Sequence, residues 1–397
     1  MTRPMKVAIL GQYPVLPSRP DGGVETVISV LCREMARRPE IDLYVLSCVT
    51  ALGDQSSESE AGFTRCSIPR RRFGRATFYW RDVRALCRRL RGFRPDVVHA
   101  HGAGLYAAAA LSSGLPAVIT PHGIIAREAE LAITLPERIR WNLQAFWEAR
   151  ILRRAKQLVA ISPYVEQELA HLSRATFHLI ENPVDDLFFS LDEAAPGGCV
   201  LWIGRITPRK DPQTALRAFA RVIREFPHAR LRMVGEDSSY PGYAQATRDL
   251  AARLGLGDSV EFSGNLDKQG VINEYQAARL VLITSIQETA PVVIAEAMAS
   301  GRPVVATDAG GCRYLLRSGE SGLLAPKGDH VALAQHINSL FASPDLARRL
   351  SAAARRQAQA RFRAALAVDK TLELYRNLLS VRPSSGQLRD SAQAMKL

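Results

Sequence analysis

Short apolar runs rich in β-branched residues alternate with longer stretches of helical periodicity along almost the whole chain, and this leaves few folds open. In the first half, strands read at Lys6–Leu10, Leu43–Ser47, Val97–Ala100, Ala117–Thr120, Leu158–Ser162 and Phe177–Ile180. Helices read at Val24–Arg37, Ala76–Arg91, Ala103–Ser113, Glu137–Lys156 and Pro163–His171. Strands separated by helices pair in parallel, and helices then cover both faces of the sheet. The pattern repeats with strands near Val200–Gly204, Leu231–Gly235, Val260–Ser263, Leu280–Thr284 and Val304–Thr307. Between the halves, Asn182-Pro183-Val184-Asp185 through Ala195-Pro196-Gly197-Gly198 is rich in proline, glycine and acid and reads as a hinge. A chain of 397 residues exceeds one ordinary core. The expected fold is therefore α/β, with two doubly wound, Rossmann-like domains at residues 1–183 and 199–379, a linker at 184–198 and a mobile tail at 380–397. Ligands of such sheets bind beyond the carboxyl ends of the strands, which places a site in the cleft between domains.

The first residues hold only the short apolar run Val7–Leu10, and no eighteen apolar residues follow one another. The expectation is a cytoplasmic chain without a membrane span. Its six cysteines lack C-x-x-C spacing and are read as reduced structural thiols. Net charge is +13, and most of it is local: Arg65 to Arg94 holds eleven arginines against Asp82 alone. Within that segment Tyr79, Val83, Leu86 and Leu90 share one helical face, and Arg81, Arg84, Arg88 and Arg91 the opposite one. A basic amphipathic helix suits an anionic membrane surface, peripheral on the cytoplasmic face. The rival reading is the solvated outer face of an ordinary helix. Nucleic acid is not expected, because no recognition motif accompanies the charge.

The chemistry concentrates in Ser285-Ile286-Gln287-Glu288-Thr289-Ala290-Pro291-Val292-Val293-Ile294-Ala295-Glu296. Proline favours the first turn of a helix, so Glu288 falls in the preceding loop and Glu296 on the helix itself. The helix start offers N–H groups and a positive dipole end to an anion, while carboxylates accept hydrogen bonds from hydroxyls. A phosphate-linked sugar has both groups. After the strand at Val200–Gly204, Arg205 and Lys210 stand at the same sheet edge, where two cations can hold a diphosphate and neutralise its growing charge.

These residues resemble the retaining nucleotide-sugar glycosyltransferases of GT-B fold, family 4 (glycosyl transferases group 1). The resemblance runs from about Lys6 to Leu379. It is carried by Gly22-Gly23-Val24-Glu25, Asp96-Val97-Val98-His99-Ala100-His101, Thr120-Pro121-His122-Gly123, Gly204-Arg205 with Lys210, and Val234-Gly235-Glu236. Phe262-Ser263-Gly264, the Glu288/Glu296 pair, Glu296 to Val305 and Gly322-Leu323-Leu324 complete it. What it implies is a hexosyl transfer from a UDP- or GDP-type sugar. Glu296 takes the ribose hydroxyls, Glu288 lies beside the sugar, and Arg205 and Lys210 clamp the diphosphate with the N–H groups of Val292 and Val293. Gly22 and Gly23 match the loop that closes near the phosphates, and Gly235 counts among the donor-binding positions. His122 matches the histidine at the reacting sugar, and His101 a second one near the cleft. His99 alternates toward the core. Where many members carry Gly-aromatic-Gly, this chain has Thr289-Ala290-Pro291, and proline cannot donate a backbone N–H.

No Asp-x-Asp occurs, so neither a metal nor another cofactor is expected, the protein cations serving instead. Three readings stand. One is a transferase acting on a glycan or lipid-linked acceptor of cell-surface polysaccharide at the membrane. The second is a soluble transferase acting on a small acceptor such as a sugar phosphate, and the third a silent sugar-nucleotide-binding protein.

Overall fold

The computed structural model describes residues 3–50, 56–60, 62–70, 74, 78–192 and 199–380. Arg71, Arg72, Arg75, the expected helix start at Ala76, the last part of the linker and residues 381–397 lie outside the described residues.

The first sheet comprises β1 (Met5–Leu10), β2 (Ile41–Val49), β3 (Ser56–Glu60), β4 (Phe63–Pro69), β5 (Val97–His101), β6 (Ala117–Thr120), β7 (Gln157–Ala160) and β8 (Thr176–Leu179). Its order is β3-β4-β2-β1-β5-β6-β7-β8, parallel throughout except for the antiparallel pair β3/β4. The second sheet comprises β9 (Cys199–Ile203), β10 (Leu231–Val234), β11 (Val260–Gly264), β12 (Ala278–Ile283), β13 (Val304–Thr307) and β14 (Leu323–Ala325), parallel in the order β11-β10-β9-β12-β13-β14. The eleven strands read from sequence are all present within a few residues. Those not foreseen are β3, β4 and the three-residue β14. The run Ser56–Glu60 has neither apolar alternation nor β-branched residues and is held as a strand by its ladder to β4.

Strand order reverses between β1 and β5 in one sheet and between β9 and β12 in the other. The crevices at those switch points open at the carboxyl ends of the strands. Central β5 is buried along its whole length, histidines included, as expected of a parallel strand covered on both faces.

The expected span of the second domain requires a correction. The last helix, Ala364–Ser380, packs on the first domain: Ala367, Val368, Leu372 and Tyr375 share a core with Val7, Ile9, Ile28 and Leu31. The periodicity of that segment identifies a helix but not the surface that covers its apolar stripe. The linker is also shorter than read, because Val184, Phe188 and Phe189 belong to the core of the second domain. The chain thus crosses twice at one place, where Val184 N–H donates to the Phe362 carbonyl (2.8 Å). The crossing is bound by Arg361 to Glu181 (2.6 Å) and by Lys268 and Arg33 to Asp185 (2.6 and 2.7 Å). Burial alone would push the Asp185 carboxyl up, yet the two cations and a backbone N–H hold it below the ordinary range.

Tyr375 is fully buried and its hydroxyl meets His99 Nδ1 at 2.6 Å. Tyr375→Ala is expected to cost about 3 kcal/mol, in the range of large core truncations, and Tyr375→Phe about 1 kcal/mol. Urea denaturation followed by first-domain tryptophan fluorescence checks this, and a silent Tyr375→Ala would contradict the assignment of the last helix to that domain.

Candidate active site

Loops from both switch points meet in a cleft of about 670 Å³, a volume ordinary for a small-molecule site. On the second-domain side, the turn after β9 carries Arg205, Arg209 and Lys210. The Thr284 hydroxyl, just past β12, bonds the carbonyls of Lys210 (3.0 Å) and Asp211 (2.7 Å). Asp211 in turn accepts from Thr214 N–H and starts the helix Pro212–Glu225, which fixes the turn at both ends.

Glu288 is buried in the loop after β12, with Lys210 Nζ 2.5 Å from Oε1 and Arg209 Nη1 3.4 Å from Oε2. Burial would raise its pKa, but the two converging cations keep it below the usual carboxylate range, so the group is ionised. Glu296 lies one helical stretch further on, in Val292–Ala299, and also lines the cleft. It has no cation partner among the described residues, and Tyr275 donates its hydroxyl to Oε2 (3.0 Å). Burial dominates there and pushes the carboxyl up to about 7. The two carboxylates of the motif therefore face the cleft in different states, one charged and one balanced near neutrality.

The loop between them is fastened across the cleft. Ser162 Oγ donates to the Thr289 carbonyl (2.7 Å), Thr289 Oγ1 donates to the His122 carbonyl (2.7 Å), and Asn182 Nδ2 donates to the Ala290 carbonyl (3.3 Å). Gly310 and Gly311 press against it from behind: a Cβ at either would stand 2.1 Å from the Glu288 carbonyl or 1.8 Å from that of Thr289. Pro291 precedes the helix without an N–H, so its main-chain donors begin at Val292 and Val293, both lining the cleft.

Gly22 and Gly23 stand opposite these groups at the start of the helix Gly23–Met35. Arg205 donates to the Asp21 carbonyl across the cleft, and a Cβ on Gly22 would lie 3.2 Å from its guanidinium; one on Gly23 would lie 3.4 Å from Val292. Asp21 N–H donates to buried Glu25 Oε2 (2.8 Å), which accounts for the acid that closes the Gly-Gly-Val-Glu motif. Gly235 also lines the cleft; its φ of 149° and a virtual Cβ only 1.9 Å from the Gly204 carbonyl admit no side chain.

Three imidazoles line up at the ends of β5 and β6. His101 Nδ1 lies 2.9 Å from His122 Nε2, and His99 stacks on His101 with ring centroids 4.5 Å apart. His99 is held in the core by Tyr375 and by Thr120 Oγ1 (2.6 Å) and is structural. Burial pushes His122 down to about 4 and His99 to about 3, and lowers His101 likewise, so all three are neutral at pH 7. Of the row only His122 lines the cleft; His101 stands behind it as its hydrogen-bond partner.

Sequence reasoning missed Arg209, which grips Glu288 beside Lys210, and Tyr275, which fixes Glu296. It also missed Glu128, a cleft carboxyl of the first domain whose pKa burial raises. Arg209 was legible as the neighbour of Lys210 in one turn; Tyr275 and Glu128 come from elements that nothing local ties to the site. One expected patch member drops out: Arg65 is buried on β4, bonded to the Val15 carbonyl (3.3 Å) and 3.7 Å from Glu60.

The sequence matches two family profiles end to end, Glycosyltransferase Family 4 over residues 21–186 and Glycosyl transferases group 1 over residues 184–357. A D-inositol 3-phosphate glycosyltransferase of Acidothermus cellulolyticus is 30% identical over 315 residues, 74% of this chain and 70% of that protein. The chain belongs to glycosyltransferase family 4. With the Streptomyces bingchenggensis protein of the same description, identity is 33% over 180 residues, 44% of this chain and only 39% of that one. The family 4 chain shares its GT-B fold with sucrose-phosphate synthase from Thermosynechococcus elongatus (TM-score 0.82, 22% identity, 95% and 100% of the two chains). It also resembles Anabaena HepE, solved with UDP-glucose (TM-score 0.75, 20% identity, 94% and 100%). In this family 4 member, Gly22-Gly23-Val24-Glu25, His122-Gly123, Gly204-Arg205 with Lys210, Val234-Gly235-Glu236 and the Glu288/Glu296 pair line one cleft, while residues 96–101, 262–264 and 322–324 do not.

The raised Glu296 carboxyl has a measurable consequence. Because its folded pKa lies above the unfolded value, the stabilisation it brings is complete at low pH and is lost as pH rises from about 4.5 to about 7. Relative to Glu296→Gln, the parent is expected to lose up to roughly 3 kcal/mol between pH 5 and 8. Paired denaturation curves at the two pH values check it, and a difference that does not change with pH would overturn the assignment.

Proposed function

We propose that the protein transfers a hexosyl group from a UDP- or GDP-type nucleotide sugar to an acceptor hydroxyl, with retention of configuration. The observation that carries the reading is the convergence of Arg205, Arg209, Lys210, Glu288 and Glu296 on one edge of the cleft at the β9/β12 switch point. The diphosphate lies among the three cations and the N–H groups at the start of Val292–Ala299, and Glu296 accepts from the ribose. Glu288 exchanges part of its contact with Lys210 for the sugar hydroxyls as the lysine turns to phosphate. His122, neutral, offers an imidazole at the sugar from the facing domain.

As the anomeric carbon parts from the phosphate oxygen, negative charge gathers on the diphosphate, and Arg205 and Lys210 stabilise it more than they stabilise the bound donor. The acceptor oxygen bonds to the same face of the carbon, and its proton passes to the departing phosphate. These cations supply the charge that a metal otherwise brings, so no cofactor is assigned.

Two acceptor readings remain. A lipid-linked or glycan acceptor of surface polysaccharide at the inner membrane face is supported by the basic helix Trp80–Phe93, on which Arg81, Arg84, Arg88 and Arg91 are all exposed. A small acceptor such as a sugar or polyol phosphate is supported by the descriptions of the inositol phosphate and sucrose phosphate relatives. A silent binding protein is disfavoured, since the cations and both carboxylates are in place.

Arg205→Ala is expected to depress turnover on the order of 10²–10³-fold, while Glu296→Ala weakens donor binding more than turnover. Steady-state kinetics with a panel of UDP- and GDP-sugars checks both, and normal turnover of Arg205→Ala would end the clamp assignment. Transfer is also expected to continue in EDTA. Complete inactivation that manganese or magnesium reverses would show that the protein cations do not suffice.

A further inference from the structure

The helix Leu135–Leu152 presents an uncovered apolar row to solvent. Leu135, Ile139, Leu143 and Phe146 are 70, 53, 55 and 63% exposed, and their spacing puts them within one narrow sector of the helix. In a folded domain such a row is ordinarily covered, and a contiguous one marks an interaction surface. Ile133 (63% exposed), just before the helix, extends it.

The charge around the row is mostly positive, Glu130, paired to Arg127, being an exposed acid just before it. Arg138, Arg140 and Arg150 are exposed on the same helix, Arg150 continuing the apolar sector through its last turn, and Arg153 and Arg154 are exposed just past its end. Of the two acids of the helix, Glu148 is buried, accepting from Ile125 N–H (3.1 Å), and Glu137 is mostly buried, 3.7 Å from Arg140 and accepting from the Tyr240 hydroxyl (2.6 Å). The surface continues toward the basic helix Trp80–Phe93 through exposed Phe78, whose ring lies 5.9 Å from that of Trp147, while buried Tyr79 packs under Trp147 at 5.4 Å. Trp80 is exposed beside them with the Arg84 guanidinium over its ring. Apolar side chains flanked by arginines and an exposed tryptophan match the boundary between acyl chains and anionic headgroups. A second copy of the chain would bring like-charged arginine rows together and is the poorer occupant.

We propose that the exposed face of Leu135–Leu152, with Phe78 and Trp80, inserts into the headgroup region of an anionic lipid bilayer. The contact is therefore partly apolar and not only the electrostatic attraction of the Arg81–Arg91 face. Its placement suits an acceptor carried in that bilayer. The same helix is tied to the second domain through Glu137 and Tyr240, and its Glu148 holds the start of Ile125–Ala129, the segment that carries cleft residue Glu128.

This inference rests on the membrane-acceptor reading for its purpose, but its test needs neither donor nor acceptor. Vesicles of phosphatidylglycerol and phosphatidylcholine in roughly a 3:7 ratio are sedimented with the full chain at low and high salt. A fraction of the binding is expected to persist at high salt, where screening removes the arginine contribution. Leu143→Ser with Phe146→Ser should lower that salt-resistant partition on the order of 10–100-fold. Arg81, Arg84, Arg88 and Arg91 changed to Gln should lower only the salt-sensitive part. Because the serine sites are exposed, the thermal midpoint and transfer to a water-soluble acceptor are expected to stay unchanged, which separates loss of docking from loss of fold or of transfer. Undiminished salt-resistant binding by the serine variant would overturn the proposal. So would light scattering that shows a parent dimer and a monomeric serine variant, since the row would then be a self-association surface.

Discussion

A buried carboxylate with two cations on it organises this molecule. Glu288 is almost wholly removed from water, a position an isolated carboxylate could not hold in its charged form. Lys210 and Arg209 keep it ionised and bind the loop after β12 to the turn after β9. The two loops that meet at the second-domain switch point thus become one rigid edge. That edge is also the side of the cleft fastened to the first domain, through Thr289, Ala290 and their partners His122, Ser162 and Asn182. Removing either cation would leave this buried charge with a single partner, and removing both would leave it without compensation at the point where the domains are joined.

The two chain crossings make the rest of the interdomain geometry economical. Residues near Val184 and Phe362 run side by side, and the last helix returns to cover the first-domain core that β1 and Gly23–Met35 leave open. The ion pairs of Asp185 reach into both domains, to Arg33 on one side and Lys268 on the other. A rigid-body motion about this point would move the Gly22 loop toward or away from Arg205 while leaving both sheets intact. The contact between Arg205 and the Asp21 carbonyl joins the two walls of the cleft at that loop.

The sequence was most legible where local chemistry and periodicity agree. The parallel strands announced themselves as apolar runs, and the carboxylates at 288 and 296 as a loop and a helix separated by proline. Partners distant in sequence were not legible. An amphipathic pattern marks Ala364–Ser380 as a helix, yet nothing in it says that its stripe belongs against Val7 and Ile9 instead of the adjoining second domain. Counting charge along the chain put Arg65 with the exposed arginines, although strand alternation turns it inward to Val15 and Glu60. The hairpin strand Ser56–Glu60 exists through its neighbour's ladder, which no propensity of its own foretells.

Charge is distributed unequally across the cleft, and this gives the site a direction. The described lining of the second domain carries Arg205, Arg209, Lys210 and Lys268 against Glu236, Glu288 and Glu296, whereas the first-domain wall carries Asp21, Glu25 and Glu128 against Arg33. Arg33, the cation on that wall, is already paired to Asp185, and the histidine that faces the cleft is neutral because burial keeps His122 far below its ordinary pKa. An anionic group entering the cleft is therefore drawn to the β9/β12 edge and repelled from the wall opposite. In a partly enclosed space such a difference counts for more than in open water, because the surrounding protein screens it less. The neutrality of the imidazole row is part of this design: a charged His122 would offer an anion a competing seat on the first domain and blur the distinction between the two walls.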